Sequence, residues 1–442
     1  FFKQKTAYEM LRSLVGSEMC IRDRITLFIQ GSKESLMCNI RSVAGSVAAW
    51  MALALAPAVT AGEWPHWRGP DHDGVSSETG LESRWDGPPP TLWEQSIGSA
   101  FSGISCVDGR AYTCGTQGGQ QVLFCLDADR GDVLWQRGFE QEYRERQGGD
   151  GTRATPTVEG GRVYIQGARG RLVCLDARSG QELWSRQFHA VPQWGYSGSV
   201  LIEGNLAIVN GGDKDGALVA VKKTTGDVVW KCGRAPAGYA TPYPFALDGQ
   251  RYVVGFLSDS AVIVDPTTGR QVWNTDWKTD WDVNAATPIL HAGSLFLSSG
   301  YNTGSALFKL SREGEKLGAE QVWKGKVIAA KFQTPVVHDG HLYVSDQDAL
   351  KCVEFATGRV RWSQRKLEGC SLQNGTIVLA EGRLFILSED GWLLIAPASP
   401  DGFEPASKVR ILSGRCWTVP TLYRGRLYAR NFEKIICLKL TR

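Results

Sequence analysis

The pattern of apolar and polar residues repeats along most of the chain. A typical copy has a short apolar run, a polar and usually acidic turn that ends in glycine, and a tryptophan four residues after that glycine. Short runs bounded by turn residues favour β-strands over helices. Five copies keep this spacing, at Gly131/Trp135, Gly180/Trp184, Gly226/Trp230, Gly269/Trp273 and Gly358/Trp362; a sixth, Gly314 to Trp323, has a five-residue insertion, and a seventh at Asp401-Gly402 lacks the tryptophan.

A second series of turns alternates with the first. In most copies an acidic residue followed by glycine separates two apolar runs, and glycine supplies the positive φ that a hairpin turn needs. Each period of about 45 residues therefore contains two hairpins, or four strands, which is typical of a β-propeller blade. The glycines of this second series are Gly109, Gly160, Gly204, Gly249, Gly293, Gly340, Gly382 and Gly425.

The two series together predict eight blades, the last of which lacks one strand. There are eight turns of the second series but only seven of the first, and the chain ends after a third strand at Lys434 to Leu440. The missing strand is expected at Thr91 to Gln95, because Trp93 lies about one period before Trp135. The sequence thus predicts an all-β fold, an eight-bladed β-propeller of four-stranded antiparallel blades whose ring closes by pairing of the N- and C-terminal strands.

The Asp-x-x-x-Gly-x-x-x-Trp repeat resembles that of pyrroloquinoline-quinone (PQQ)-type propellers, from about Trp64 to the last residue. This superfamily includes quinoprotein alcohol dehydrogenases and the outer-membrane assembly lipoproteins of the BamB branch. The opening segment Trp64 to Pro70, WPHWRGP, is similar to an exported PQQ-like group of planctomycete type. The resemblance implies the fold but does not determine the function, because one fold hosts many activities.

The dehydrogenase branch implies a cofactor that this sequence does not support. Members of that branch hold PQQ and Ca²⁺ on the propeller axis, with the quinone between a tryptophan and a disulfide of two adjacent cysteines. No two cysteines are adjacent in this chain, and its 442 residues are far fewer than those enzymes have. We therefore expect no cofactor and no catalytic residues, with PQQ plus calcium as the alternative.

The first 61 residues differ from the rest. Residues 1–24 resemble a translated sequencing adapter, so residues 1–36 are excluded as artefact and upstream sequence. Residues 37–61 have an n-region with Arg41, an uncharged apolar run and small residues before Ala61, which indicates a cleaved signal peptide. The residue directly after this cleavage site is glycine and not cysteine, so no lipid anchor is expected. Residues 62–90 would be an N-terminal extension and residues 91–442 a single propeller domain, in a periplasmic or secreted protein.

Charge limits the partners. Removal of residues 1–61 changes the net charge from +3 to zero, because equal numbers of basic and acidic residues remain. A neutral chain argues against a nucleic-acid binder built on a basic surface. The apolar run 43–57 is short and alanine-rich, so we expect no membrane span in the mature chain. The expected partner is a protein, a peptide or a small ligand, and the expected state is a monomer.

Cysteine and histidine give no clear metal or redox motif. His338 and His341 flank a turn without a third ligand, and the acidic loop Gly211 to Gly216 lacks the final glutamate of an EF-hand loop, so no metal site is predicted. Cys370 and Cys416 begin strands in adjacent blades and are candidates for a disulfide. Four cysteines share the third-strand position of different blades and are expected to be buried small hydrophobes: Cys125, Cys174, Cys352 and Cys437.

The mouth of the central channel is the candidate binding site. Segments that lead into the first strands share one face in propellers, and here they carry aromatic and polar residues of the kind that bind a small ligand or peptide. Alternatively, these residues only plug the axis and bond one another. The insert Glu140 to Asp150 lies at the same face and is a candidate lid or partner loop. The candidate site residues are Arg153, Trp194, Tyr196, Tyr239, Asn284, Lys331, Gln333, Arg415 and Trp417.

Two classes of function follow from these observations. The first is an exported, non-catalytic propeller that binds a protein, peptide or ligand through the face and mouth of its channel. The second, which is the alternative, is a PQQ-dependent oxidoreductase with its active site on the axis. The missing adjacent cysteines favour the binding scaffold.

Overall fold

A computed structural model describes residues 62–213, 216–234, 236–314 and 316–441, and these residues form β-strands and connecting segments without a helix. The predicted adapter segment and signal peptide lie outside the described residues. Thirty-two strands of the described chain form eight four-stranded antiparallel blades, as the sequence predicts. First strands of neighbouring blades contact each other, so they form the wall of the central channel.

The blade strands follow chain order, numbered here along the whole chain. Blades 1 to 4 contain β3 (Ser105–Val107), β4 (Arg110–Gln117), β5 (Gln120–Asp127) and β6 (Val133–Gln141); β7 (Thr157–Glu159), β8 (Arg162–Gln166), β9 (Arg171–Asp176) and β10 (Glu182–Gln187); β11 (Leu201–Glu203), β12 (Leu206–Asp213), β13 (Gly216–Lys222) and β14 (Val228–Cys232); β15 (Tyr243–Leu247), β16 (Gln250–Phe256), β17 (Ser260–Val264) and β18 (Gln271–Asp276).

Blades 5 to 8 continue the series, and three short strands lie outside the four-strand pattern. Blades 5 to 7 contain β19 (Ile289–His291), β20 (Ser294–Ser299), β21 (Gly304–Glu313) and β22 (Lys316–Gly325); β23 (Val336–His338), β24 (His341–Ser345), β25 (Leu350–Glu354) and β26 (Val360–Gln364); β29 (Thr376–Ala380), β30 (Arg383–Leu387), β31 (Trp392–Pro397) and β32 (Ser407–Arg410). Blade 8 contains β33 (Thr421–Tyr423), β34 (Arg426–Arg430), β35 (Lys434–Lys439) and β2 (Thr91–Ser96); the extra strands are β1 (Val75–Ser76), β27 (Lys366–Leu367) and β28 (Cys370–Ser371).

The ring closes through the two ends of the propeller. Strand β2 pairs antiparallel with β35, with Trp93 opposite Cys437, so the predicted closure is confirmed. The buried Arg430 of blade 8 adds a second link, because its guanidinium donates hydrogen bonds to the carbonyls of Ser102 and Cys114 at blade 1. Because β2 pairs with β35, the third strand of blade 8 is not left as an unpaired sheet edge.

The repeated tryptophans join neighbouring blades. Trp184 of blade 2 lies against Gly226 of blade 3, and its indole Nε1 donates to the Lys223 carbonyl at 3.1 Å. Trp93, Trp135, Trp230 and Trp323 pack on a turn glycine of the next blade in the same way. Their indole donors bond to the carbonyls of Ala128, Ala177, Pro266 and Phe355, respectively, at 2.8–3.1 Å.

In three of these turns an aspartate at the first position stabilises the turn backbone. Asp176 Oδ1 accepts hydrogen bonds from the backbone N–H groups of Arg178 and Ser179. Asp127 and Asp265 bond in the same manner to the two residues that follow in their turns. The Asp–Gly–Trp repeat is therefore structural: the acid shapes the turn, and glycine leaves room for the indole.

The copy with the five-residue insertion, Gly314 to Trp323 in blade 5, changes this contact. Its insertion extends β21 and β22 to ten residues each, and no neighbouring group lies within 4 Å of a β-carbon placed on Gly314. Trp273 of blade 4 packs edge-to-face on Phe308 instead, with 5.5 Å between ring centroids. An aromatic pair thus replaces the glycine contact here. Trp362 of blade 6 likewise pairs with Phe403, since no neighbouring group lies within 4 Å of a β-carbon placed on Gly402.

The third-strand cysteines are buried, as predicted. Cys125 lies between Tyr112 and Trp135 on the neighbouring strands, and both of those side chains donate to the Ala177 carbonyl of blade 2. The same tyrosine–cysteine–tryptophan row occurs at Cys174, Cys352 and Cys437. Cysteine is small enough to leave the two rings side by side.

The candidate disulfide does not form. All nine cysteines of the described chain are free, including Cys370 and Cys416. Cys370 belongs to the short hairpin β27–β28 and not to the first strand of blade 7, and Cys416 precedes β33. Burial raises the pKa of Cys370 to about 11 and that of Cys416 to about 12, so both stay as neutral thiols near pH 7.

Two glycines with the same φ allow the effect of the tryptophan–glycine contact on stability to be measured apart from the effect of backbone strain. Gly226 and Gly249 both have φ of +76°, but an added β-carbon would lie 2.6 Å from the Trp184 ring at Gly226 and in open space at Gly249. We expect Gly249→Ala to lower the free energy of unfolding by about 1–2 kcal/mol through the left-handed conformation. Gly226→Ala should cost about 1–3 kcal/mol more because the indole must move.

Urea denaturation of the two variants and the parent protein measures this difference. Equal losses for Gly226→Ala and Gly249→Ala would show that the tryptophan contact does not hold neighbouring blades together.

Candidate ligand-binding site at the channel mouth

The segments that enter the first strands meet around a cavity on one face of the ring. Its volume is about 420 Å³, within the range of small-molecule sites. Blades 1 to 6 and blade 8 all contribute to its wall. The cavity is lined by Trp67, Phe101, Gln147, Gly148, Arg153, Gln193, Trp194, Ser197, Ser199, Tyr239, Thr241, Trp281, Val283, Ala285, Thr287, Tyr301, Lys331, Phe332, Trp417 and Thr418.

The N-terminal extension crosses the channel below this cavity. Trp64 forms a bridge with Cys106 in blade 1, whereas the Trp67 indole donates to Thr287 Oγ1 of blade 5 at 2.9 Å. Blades 1 and 5 are opposite one another in an eight-bladed ring, so the segment spans the channel. Strand β1 then pairs in parallel with β29 of blade 7. The cavity is therefore a blind pocket, and Trp67 belongs to its inner end.

A buried arginine anchors this crossing segment. Arg68 is 2% exposed, and its guanidinium donates to the backbone carbonyls of Thr334 and Pro335 in blade 6 and of Asp73 in its own loop. Burial lowers the pKa of Arg68 to about 10, so the side chain stays charged near pH 7. Several strong donors on carbonyl acceptors compensate for the burial of one charge.

Five of the nine predicted site residues line the pocket. Arg153, Trp194, Tyr239, Lys331 and Trp417 come from five different blades and meet there. Burial raises the pKa of Tyr239 to about 12, which keeps its phenol protonated.

Arg415 lies beside the pocket instead of in its wall. Its guanidinium stacks on Trp417 at 4.5 Å from the ring centroid and donates to the Gly148 carbonyl at 2.9 Å. It also lines a second cleft on this face, together with Glu145, Asp150 and Glu433. Arg415 thus holds the insert against the pocket rim.

The other three predicted residues are structural. The Tyr196 hydroxyl donates to the Gly211 carbonyl, and Gln333 Nε2 donates to Asn374 Oδ1. Asn284 is fully buried, and its amide donates to the carbonyls of Leu257, Ser258 and Trp277. All three side chains face the protein interior.

The insert forms part of the mouth. Glu140 and Gln141 still belong to β6, and Glu140 accepts backbone hydrogen bonds from Arg169 and Arg171 of blade 2. From residue 142 onwards the chain reaches the pocket, where Gln147 accepts a hydrogen bond from the Trp194 indole.

Several pocket residues were not predicted from the sequence. Trp281 is 58% exposed at the rim and packs edge-to-face on Trp194. Phe332 and Phe101 both pack against Trp417. The signal for Trp281 and Phe332 was their place in the segments that enter first strands, whereas Trp67 comes from a segment that the repeat does not cover.

The pocket lining has positive charge without a carboxylate. Arg153 and Lys331 are its cations, and the described lining includes no aspartate or glutamate. Burial lowers the pKa of Arg153, but nearby Glu145 and Asp150 oppose that effect. The Lys331 ammonium lies 5.6 Å from the centroid of the Tyr301 ring. The pocket therefore combines cations with aromatic faces.

The lining does not fit calcium-bound PQQ. Calcium prefers several carboxylate or carbonyl oxygens, whereas the lining has no acidic side chain and the amide of Asn284 is engaged in the interior. Within the described residues no group of three or more His, Cys, Asp and Glu could hold a metal ion. His338 pairs with Asp339 at a turn, and Lys214 and Asp215 of the acidic loop lie outside the described residues.

Comparison with known families agrees with the repeat. Residues 90–231, 119–364 and 311–402 match the family described as outer membrane protein assembly factor BamB. The chain belongs to this PQQ-repeat BamB family. The search of curated proteins found no match to this chain in sequence. No helix capable of spanning a bilayer occurs in its described part.

Solved structures share the fold at low sequence identity. BamB from Moraxella catarrhalis is 17% identical, with a TM-score of 0.58, and the match covers 79% of this chain and 99% of that one. Quinohemoprotein alcohol dehydrogenase from Comamonas testosteroni is 13% identical with a TM-score of 0.62, covering 87% and 81%. A europium-containing methanol dehydrogenase is 13% identical with a TM-score of 0.63, covering 83% and 89%. These identities establish the fold alone.

The crossing segment should respond to acid. His66 and His72 stack with 3.9 Å between ring centroids, and burial lowers the pKa of His66 to about 4 and that of His72 well below its usual value. The unfolded chain protonates these rings near pH 6.5. Stability should therefore be full above pH 6.5 and fall as the pH is lowered towards 4, because the unfolded state then binds more protons.

Melting temperatures of the parent protein and of His66→Phe between pH 7 and pH 4 measure this effect. We expect a smaller loss in the variant, which has one half-buried imidazole fewer to protonate. The same pH dependence in both proteins would contradict the assignment.

Proposed function

We propose that this protein is an exported, non-catalytic binding propeller whose ligand enters the blind pocket at the channel mouth. The observation that carries the proposal is the aromatic and cationic lining of a 420 Å³ cavity that seven blades and the N-terminal extension form together. Aromatic residues and arginine dominate binding energy at recognition sites. The proposed compartment is the periplasm or the exterior, on the basis of the predicted signal peptide at residues 37–61.

The pocket lining favours binding over turnover. No histidine, cysteine, aspartate or glutamate belongs to the described lining, so its candidate proton-transfer groups are limited to Lys331 and the tyrosine hydroxyls. Its serines are occupied: Ser197 donates to the Tyr239 carbonyl, and Ser199 accepts from the Thr155 backbone. Within the described lining, neither Ser197 nor Ser199 has a histidine, aspartate or glutamate beside it that would activate it as a nucleophile.

A protein or peptide is the partner that the family supports. The family description refers to an assembly factor of outer membrane proteins, which favours a partner that is itself a protein. The exposed Trp281 and the insert after Gln141 give such a partner a surface around the pocket. We propose that the protein is a monomer and that it binds this partner with the channel-mouth face and its pocket.

The alternative is a PQQ-dependent oxidoreductase. It is supported by the similarity to quinohemoprotein and methanol dehydrogenases and by the aromatic pocket on the axis. The described lining lacks carboxylate ligands for calcium, and the sequence lacks adjacent cysteines. We therefore propose that the protein uses no cofactor.

An aromatic anion tests whether the mouth binds ligands. We expect 8-anilinonaphthalene-1-sulfonate to bind the purified protein with increased fluorescence. Arg415→Ala combined with Trp417→Ala should weaken this binding by about 2 kcal/mol or more, a usual loss for clustered anchors. The matched control is Arg410→Ala with Trp392→Ala, which removes another arginine–tryptophan pair outside the pocket. This control should leave the affinity unchanged.

Two results would overturn the proposal. Equal loss of dye binding in both double variants would place the site elsewhere. Stoichiometric binding of PQQ in the presence of Ca²⁺, with oxidation of alcohols or sugars by an artificial electron acceptor, would establish the dehydrogenase instead.

A further inference from the structure

We infer that the channel-mouth pocket binds an aromatic ring that carries a carboxylate, presented by the end of a peptide or by a free small molecule. The inference rests on the proposed binding function and adds the chemistry of the ligand. Three features of the pocket support it: an unpaired cation, a wall whose hydroxyl groups are already hydrogen-bonded, and a closed inner end.

The cation that selects an anion is Lys331. Arg153 donates to the carbonyls of Gly149 and Gly151 and is close to two carboxylates, so its charge is partly balanced. Lys331 lines the pocket, contacts the Tyr301 ring and forms no ion pair within the described chain. A ligand carboxylate would provide the missing countercharge in a partly desolvated site, where such a pair is stronger than in water.

The remaining wall suits a ring better than a neutral sugar. Ser197 donates to the Tyr239 carbonyl, Ser199 accepts from the Thr155 backbone, and Thr241 accepts from the Ser199 backbone. Each of these hydroxyl groups already has a hydrogen-bond partner in the protein, and the described wall has no carboxylate to accept hydrogen bonds from sugar hydroxyls. Its remaining surface is largely aromatic, and aromatic groups stack on one another with offset or edge-to-face geometry. The aromatic side chains of the wall are Trp67, Phe101, Trp194, Tyr239, Trp281, Tyr301, Phe332 and Trp417.

The closed inner end limits the ligand to a terminus or a small molecule. Trp67 is fixed to Thr287, and the segment that carries it is anchored through Arg68 to blade 6. A polymer therefore cannot pass through the channel. A cavity of 420 Å³ accommodates one ring with its carboxylate and a few neighbouring atoms.

Isothermal titration with matched ligands tests this chemistry. The ligands are N-acetyl-Ala-Ala-Phe as the free acid and as the amide, N-acetyl-Ala-Ala-Ala as the free acid, and the small acids 3-phenylpropionate and indole-3-acetate. We expect at least one aromatic acid to bind, and we expect removal of either the charge or the ring from the Phe peptide to reduce its affinity about tenfold or more. Binding of the peptide acid alone indicates a chain end, and binding of the small acids alone indicates a metabolite.

A lysine variant connects the effect to the pocket. Lys331→Met should weaken binding of the aromatic acid about tenfold and leave any residual binding of the amide unchanged. Lys326→Met is the matched control, because this exposed lysine lies on the same segment but outside the pocket lining, and it should change neither affinity.

Three outcomes would overturn the inference. These are equal affinities for the acid and the amide, equal effects of the two lysine variants, and no binding of any aromatic acid. If the dye still binds at the mouth in the last case, the proposed binding function stands and only the ligand chemistry is wrong.

Discussion

The fold depends on a contact between an indole and a glycine of the next blade. Trp184 shows its two parts: a ring that packs on Gly226 and a donor that bonds to the Lys223 carbonyl. One blade cannot bury both of its faces, so each must be covered by its neighbours. The repeated tryptophan–glycine contact covers part of these faces at the outer strands. Because β2 pairs with β35, Trp93 makes the same contact between blade 8 and Gly131 of blade 1. Because the ring is closed, its inner segments are held in fixed places around the channel.

The repeat could be predicted because its determinants are local. Asp127, Gly131 and Trp135 lie within nine residues, and their spacing already specifies a turn and the strand after it. The same argument identified the closure strand. The stretched copy was recognised as well, but the replacement of the glycine contact by Trp273 on Phe308 depends on two blades together and has no local signal.

The site could be predicted only in part, because neighbouring residues of an extended segment face opposite sides. Val283, Ala285 and Thr287 line the pocket, whereas Asn284 faces the interior; Ser197 and Ser199 line it, whereas Tyr196 does not. Assignment of these segments to the mouth was therefore possible, but the side that each residue faces was not. The repeat could not predict that Trp67 lines the pocket, because Trp67 lies before the repeats. Its position depends on contacts of the crossing segment with blades 5 and 6, which are distant in sequence.

The central claim is that the pocket of the closed ring is where this protein binds its ligand. Crystallographic screening of the purified protein with a set of small neutral, cationic and anionic aromatic fragments tests it most directly. The account predicts that fragments collect in the pocket against Trp417 or Trp281 and that the anionic ones have their charged group near Lys331. Fragments bound only on the outer strands or at the opposite face, with the pocket empty, would contradict it.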